Sequence, residues 1–153
     1  MKHMRSIASV LVLLATLIVG ACDREPIELA SGEITLPKDR WMKIPIELDR
    51  STRVQISLEL TEGPAIDVYT VDEASMNVLN TAFAKGQYAN MSKLTVFPKL
   101  GFEGLSLTYT SEWDRLSKGK YYVLIENMNF GKTAPPMNGI DDVAVVSYVI
   151  RKR

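Results

Sequence analysis

Few residues in this chain are able to do nucleophilic or metal-ligating chemistry, and their positions restrict what the protein does. The 153 residues include one histidine, His3, and one cysteine, Cys22. Catalytic triads need a histidine beside a serine or cysteine, and zinc sites are built mainly from histidine and cysteine. Beyond Cys22 the available chemistry is therefore that of carboxylates, lysine, tyrosine and serine, or of a hard cation held by oxygens.

His3 and Cys22 lie on either side of an apolar run over residues 7–19, near the N-terminus. Positively charged Lys2 and Arg5 precede the run, whose length is typical of the apolar part of a secretory signal, about 7–15 residues. A membrane-spanning helix needs about 20 apolar residues, and polar Asp23 follows the cysteine directly. The pattern predicts a signal peptide over residues 1–21.

The residues that end this signal, Val19-Gly20-Ala21-Cys22, resemble the lipobox of bacterial lipoproteins. The resemblance implies that Cys22 is acylated and becomes the first residue of the mature chain, which also removes an unpaired thiol from an oxidising compartment. Two or three acyl chains, at about 0.8 kcal/mol per buried CH₂, hold such a protein on a bilayer. The alternative is an ordinary signal peptide that happens to end near a cysteine.

Asp23 adds an indication of location. An aspartate directly after the acylated cysteine resembles the signal that retains enterobacterial lipoproteins in the inner membrane. We therefore expect a lipid-anchored protein of the cell envelope that faces the periplasm, at the inner rather than the outer membrane.

Removal of the signal changes the composition of the remaining chain. Loss of Lys2 and Arg5 leaves 16 basic against 18 acidic residues and a formal charge of −2. This balance provides no basic footprint for nucleic acid, and loss of His3 removes the histidine general base. About 130 residues are enough for one domain with a hydrophobic core.

Alternation of apolar and polar residues with a period of two predicts strands through most of this domain. The clearest cases are residues 41–48 and 54–60, which we expect to form a hairpin. Pro45 lacks a ladder donor and places the first of them at a sheet edge. The residues expected on their inner faces are Met42, Ile44, Ile46 and Leu48, with Val54, Ile56, Leu58 and Leu60.

Other segments complete a predicted all-β fold. Residues 33–36, 105–113 and 143–150 favour strands, whereas residues 65–71 and 120–126 are apolar on both parities, as in strands covered on both faces. Asp72 is expected to cap a short helix that reaches Ala84. After a tether over residues 22–31, residues 32–153 are predicted to form an antiparallel β-sandwich of about eight strands.

Two runs resemble a known family. Residues 66–72, Ile-Asp-Val-Tyr-Thr-Val-Asp, precede a helical insertion, and residues 116–127 read Leu-Ser-Lys-Gly-Lys-Tyr-Tyr-Val-Leu-Ile-Glu-Asn. Together they resemble the bacterial pre-peptidase C-terminal domain family over residues 32–153. The resemblance implies a jelly-roll-like sandwich that serves as an accessory module and brings no catalytic residues, although no peptidase precedes the domain here.

Oxygen-bearing side chains are concentrated after residue 126. Some members of the resembling family bind calcium, and such oxygens are the ligands that calcium prefers, but the spacing does not match an EF-hand loop. The same residue types also form turns. We predict no cofactor, with calcium as the alternative. The side chains concerned are Asn127, Asn129, Asn138, Asp141 and Asp142.

Two further groups of residues are suited to glycan chemistry. The carboxylate pairs Glu62 with Asp67, and Asp72 with Glu73, are candidates for glycosidic acid–base catalysis. Aromatic side chains offer a stacking platform for sugar rings or, alternatively, fill the core. The aromatic residues considered are Trp41, Tyr69, Trp113 and Tyr121.

Residues 127–142 form the expected contact surface. Loops longer than about 12–15 residues are usually functional or disordered. Pro135-Pro136 restricts this loop, Phe130 and Met137 offer apolar contacts, and Asn138, Asp141 and Asp142 offer polar ones. We predict a non-catalytic binding or accessory module for an envelope protein or glycan; the alternatives are a carboxylate-based glycan hydrolase and a calcium- or carbohydrate-binding domain.

Overall fold

The computed structural model describes residues 25–85, 93–128 and 143–153. Within these residues nine strands and one helix form two antiparallel sheets that enclose a hydrophobic core. The predicted all-β sandwich is thereby confirmed. The expected signal peptide and Cys22 lie outside the described ranges, as do residues 129–142 of the expected contact loop.

Each sheet collects strands from distant parts of the chain. One sheet contains β1 (Ile27–Leu36), β3 (Thr52–Glu62), β6 (Thr108–Thr110), β7 (Asp114–Leu116) and β9 (Ala144–Lys152). Its order is β1-β9-β3-β6, and β7 also pairs with β3. The other contains β2 (Arg40–Leu48), β4 (Ile66–Asp72), β5 (Phe102–Leu105) and β8 (Gly119–Asn127), in the order β2-β8-β4-β5.

The core lies between the inner faces of the two sheets, as the alternation predicts. Val54, Ile56 and Leu58 of β3 are at most 2% exposed. The strand β2 lies at an edge, as Pro45 predicts, and also turns its expected residues inward. Met42 is the exception, at 43% exposure. It lies near the start of β2, outside the core cluster, which this strand joins from Ile44 onward.

A single helix, α1 (Glu73–Ala84), covers the outer face of the four-stranded sheet. The Asp72 carboxylate accepts a hydrogen bond of 2.8 Å from the backbone N–H of Ser75, which confirms the predicted N-cap. Met76 and Leu79 pack on Leu124 of β8 and its neighbours. Because the helix covers one face and the other sheet covers the opposite face, β4 and β8 are apolar on both parities.

Three expectations about connectivity differ from the structure. The hairpin of β2 and β3 is wrong, because β2 pairs with β8 and β3 with β9 in the opposite sheet. Alternation shows only that each strand buries one face. Two strands that face each other across the core satisfy this condition as well as two strands that pair in one sheet. The single strand expected over residues 105–113 is divided between β5 and β6, and Leu107 in the crossing is 74% exposed.

The third difference concerns the start of the domain. The strand β1 begins at Ile27, so residues 27–31 of the expected tether pair with β9 instead. A register shift between Glu28 and Ala30 breaks the period of two there, which hides the strand in the sequence.

The strand registers define two ends of the sandwich. At the N-terminal end, Ile27 lies opposite Lys152, and Leu48 lies opposite Gly119. At the distal end, Leu36 lies opposite Ala144 and Arg40 opposite Asn127. Since residues 37–39 join β1 to β2 directly, the distal ends of the two sheets coincide.

Candidate functional site

One edge of the four-stranded sheet is built from two short segments instead of one strand. Val96 bridges Val71 of β4, and the backbone N–H of Phe97 donates to the Thr70 carbonyl at 2.9 Å. Beyond a 3₁₀ turn at Pro98–Leu100, β5 pairs with the earlier part of β4. Pro98 has no N–H to donate, so the ladder is interrupted at this point.

The interruption is held firmly against β4. The Thr70 hydroxyl donates to the Leu100 carbonyl at 2.6 Å, and the Leu100 side chain is fully buried in the core. Gly101 lies so close to β4 that a Cβ atom there would be 2.8 Å from the Val68 carbonyl oxygen. The backbone at the break is therefore positioned by buried contacts and is not a loose surface turn.

A cleft of about 460 Å³ opens at this break, and we call it the edge cleft. Its volume lies within the range of about 300–1,000 Å³ that is usual for ligand sites. The Phe102 ring is 40% exposed and packs against Tyr109 at a centroid distance of 4.8 Å. The walls are largely apolar. The lining residues are Val68, Tyr69, Val96, Pro98, Gly101, Phe102 and Glu103.

Glu103 is the carboxylate among the residues that line the edge cleft, and Asp67 and Glu126 are buried close to Tyr69. Tyr69 hydrogen-bonds with Glu103, and both line the cleft. Asp67 lies opposite Glu126 on β8, and each is 1% exposed. The Asp67 carboxylate accepts a hydrogen bond of 2.6 Å from the backbone N–H of Gly104, which ties β5 to β4.

Burial and nearby carboxylates shift the pKa of Tyr69 in the same direction. Burial raises the pKa of this phenol, and the negative charges of Asp67, Glu126 and Glu103 raise it further. Tyr69 is neutral at pH 7, as an unperturbed tyrosine is, and its phenolic O–H is a hydrogen-bond donor. The edge cleft is suited to holding an apolar group beside a positively charged or hydroxyl group, and binding is the chemistry that it supports.

The carboxylate pairs expected from the sequence do not form a common site. Glu62 is exposed at the end of β3, whereas Asp67 is buried in the opposite sheet. Asp72 caps α1, and Glu73 lies 4.0 Å from Lys120. Burial favours a higher pKa for Asp72, but hydrogen bonds from Ser75 and Thr95 outweigh it and hold that pKa below its usual range.

The four aromatic residues do not form a shared platform either. Trp41 packs on Phe83 of α1 at 4.8 Å, whereas Trp113 lies under the Arg153 guanidinium at 4.4 Å. Tyr69 and Tyr121 are 6% and 7% exposed, and they belong to different hydrophobic clusters. The alternative reading, core packing, is confirmed for these two tyrosines.

The remaining predicted site residues lie outside the described residues, and their roles stay predictions. They are Cys22, Asn129, Phe130, Met137, Asn138, Asp141 and Asp142.

The described ends of the contact loop lie at the distal end of the sandwich. Asn127 is 2% exposed there, and its side-chain N–H₂ donates to the Leu36 carbonyl at 3.1 Å. A Cβ atom on Gly63, whose φ is +90°, would lie 2.0 Å from the Val143 carbonyl oxygen.

Sequence reasoning missed the edge cleft, although two signals point to it. Asp67 and Glu126 are carboxylates inside segments that are otherwise apolar on both parities. Pro98 interrupts a short β-forming run. These residues lie together beside β4 because of the order of the strands in the sheet, and local sequence patterns do not contain that order.

Across residues 25–85, 93–128 and 143–153, no group of three or more His, Cys, Asp or Glu side chains is arranged to hold a metal ion. In the same ranges no helix has the length and apolar character needed to cross a membrane. The sequence matches no protein-family model and no curated protein.

Proposed function

We propose that this chain is a lipid-anchored protein of the bacterial envelope that acts as a non-catalytic binding module. The edge cleft is the observation that supports this proposal best, because it combines a usable volume, apolar walls and one carboxylate, Glu103, at a sheet edge that is positioned by buried contacts.

The lipobox supports the anchoring part of the proposal. Only residues 23–26 separate Cys22 from β1, which begins at Ile27. Because an extended chain spans at most about 3.3–3.6 Å per residue, acylation of Cys22 would hold the N-terminal end of the sandwich within about 18 Å of the membrane. The domain would then face the periplasm beside the bilayer, at the inner membrane if Asp23 acts as a retention signal.

The walls of the edge cleft indicate the chemistry of the partner. Phe102, Val96 and Pro98 favour an apolar side chain, and Glu103 at the rim favours a neighbouring basic residue. The strand β5 ends the four-stranded sheet, and no other described strand pairs with its outer edge, which is the kind of edge that an extended segment joins. An extended, basic-apolar segment of an envelope protein satisfies these conditions better than a glycan does.

Residues 127–142 provide a second proposed contact surface. Their described ends lie at the distal end, away from the tethered start of β1. A partner in the periplasm would meet this loop before it meets the membrane-proximal part of the sandwich. The proposal for Phe130 and Met137 as apolar contacts is tested separately, by replacing residues 130–137 with a short Gly-Ser link. Loss of the partner with an unchanged thermal midpoint is the expected result.

Site-specific photo-crosslinking tests the edge cleft directly. A benzoylphenylalanine at Phe102 should give one discrete adduct in intact membranes, whose partner peptide is identified by mass spectrometry. Val78, which is 48% exposed on α1, is the control position. The expected adduct should weaken when Glu103→Lys reverses the charge of the rim. An equal adduct from both positions, or none from Phe102, would contradict binding in the edge cleft.

A further inference from the structure

Three arginines lie side by side across the N-terminal end of the five-stranded sheet, and we call them the arginine row. Arg53 of β3 lies opposite Arg115 of β7. On its other side Arg53 exchanges backbone hydrogen bonds with Arg153, at 3.2 and 3.0 Å. Residues directly opposite each other project from the same face, and because the next residue along β3, Val54, is fully buried, that face is the outer one.

Like charges at directly opposite positions destabilise a sheet. Within the described residues, no carboxylate lies within 4.0 Å of the Arg53 or Arg115 guanidinium. Two carboxylates near the row accept hydrogen bonds from other groups: Asp114 from the Arg115 backbone N–H at 3.0 Å, and Glu28, which lies opposite Arg151, from the Ser31 hydroxyl at 2.6 Å. Arg53 and Arg115 therefore present positive charge that an external anion would stabilise.

A tryptophan flanks the arginine row. Trp113 is half-buried, and the Arg153 guanidinium lies 4.4 Å from the centroid of its ring. Tryptophan beside arginine is a combination typical of surfaces that meet the headgroup region of a membrane.

The position of the arginine row identifies the anion. Ile27 is five residues from Cys22, so a lipid on that cysteine would keep this end of the sandwich beside the headgroups. We propose that the arginine row, with Trp113, is a membrane-contact surface that binds the phosphate groups of anionic phospholipids. This inference rests on the proposed lipid anchor, because the anchor is what brings the surface to the bilayer.

Guanidinium groups bind phosphate through paired hydrogen bonds, and an anionic bilayer attracts basic residues within a Debye length of about 10 Å. Lipid attachment alone leaves the domain free to rotate on its tether. Contact through the arginine row fixes one orientation, in which the outer face of the five-stranded sheet turns toward the membrane at its N-terminal end.

Vesicle binding tests this surface. The protein used is the mature chain from residue 22, and it carries Cys22→Ser so that no lipid contributes. Core residues run from Ile34 to Ile150, so removal of the signal leaves the described core intact. The chain should bind phosphatidylglycerol vesicles, release them as salt rises, and ignore phosphatidylcholine vesicles. Arg53→Gln with Arg115→Gln should weaken binding about tenfold or more.

Arg40→Gln with Lys85→Gln is the matched control, since it removes the same charge from exposed side chains away from the arginine row. This control should change binding less than about twofold. The thermal midpoint of the arginine variant should equal or exceed that of the parent, because like-charge repulsion is relieved. Equal loss in both variants, a parent that does not bind phosphatidylglycerol, or complete displacement by millimolar inorganic phosphate would overturn the proposal. Acylation of Cys22 is untouched by these outcomes, because the tested chain carries no lipid.

Discussion

The outer faces of the two sheets are built differently. The helix α1 covers the four-stranded sheet, where Leu124 and Val71 are fully buried beneath it. No described element covers the five-stranded sheet, whose outward residues are half-buried or exposed and mostly small and polar or charged. Examples of the outward residues are Ser31, Glu33, Gln55, Ser57, Thr108, Thr110 and Ser147.

The two sheets are suited to different proposed contacts, one with a partner and one with a membrane. The covered face makes β4 and β8 rigid on both sides, and the edge cleft is formed where the ladder beside β4 breaks. The open face carries the arginine row at its N-terminal end. Binding to a partner and contact with a membrane are thus proposed for opposite sheets, so that one does not block the other.

The largest expected effect compares central strands of the two sheets. Leu124→Asp places a charge under α1, at a position that is fully buried, and should unfold the domain at a cost of several kcal/mol. Val149→Asp, in the central strand of the open sheet between Ser31 and Ser57, should cost about 1 kcal/mol. Urea unfolding of both variants measures the contrast. Similar losses would show that the open face is covered.

A smaller effect tests how α1 is attached. Leu79→Ala removes a fully buried side chain from the helix and should destabilise the domain by about 2–5 kcal/mol. Val78→Ala, at a position that is 48% exposed on the same helix, is the control and should change stability by about 0.5 kcal/mol or less. Calorimetry distinguishes the two, and equal midpoints would mean that α1 does not stabilise the four-stranded sheet.

The smallest effect concerns the start of α1. Asp72→Ala removes the N-cap and should cost about 1 kcal/mol at neutral pH, whereas Asp72→Asn should retain most of the stability. Because the folded state lowers the pKa of Asp72, its contribution is present above the unfolded pKa of about 3.9 and is lost as pH falls through the lower folded value. The stability difference between the parent and Asp72→Ala should therefore shrink below about pH 4. A pH-independent difference would contradict the hydrogen-bonded carboxylate.

Local patterns in the sequence predict the elements of this fold better than their pairing. The alternation through Ile56 and Leu58 correctly predicts β3 and its inner face, and Asp72 correctly predicts the start of α1. Pairing depends on which apolar faces meet across the core, and for this reason the expected hairpin of β2 and β3 is wrong. The shifted register after Glu28 similarly conceals the first half of β1.

For the candidate site too, individual residues are visible in the sequence but their proximity in the fold is not. Pro98 and the buried Asp67 are visible as exceptions in the sequence, but their meeting beside β4 depends on strand order. The arginine row is hidden for the same reason, since Arg53, Arg115 and Arg153 are far apart in the chain and adjacent only in the sheet. Cys22 needs no tertiary information, because a signal peptidase would recognise its segment before the domain folds.

The proposed acylation of Cys22 would decide which end of the sandwich meets the membrane, so metabolic labelling with a clickable fatty acid is the most direct measurement. The full chain expressed in bacteria should take up the label, and the mass of its mature N-terminal peptide should begin at an acylated Cys22. Cys22→Ser should abolish the label, since the chain has no other cysteine. A parent chain without label, or a label retained in Cys22→Ser, would contradict the lipid anchor.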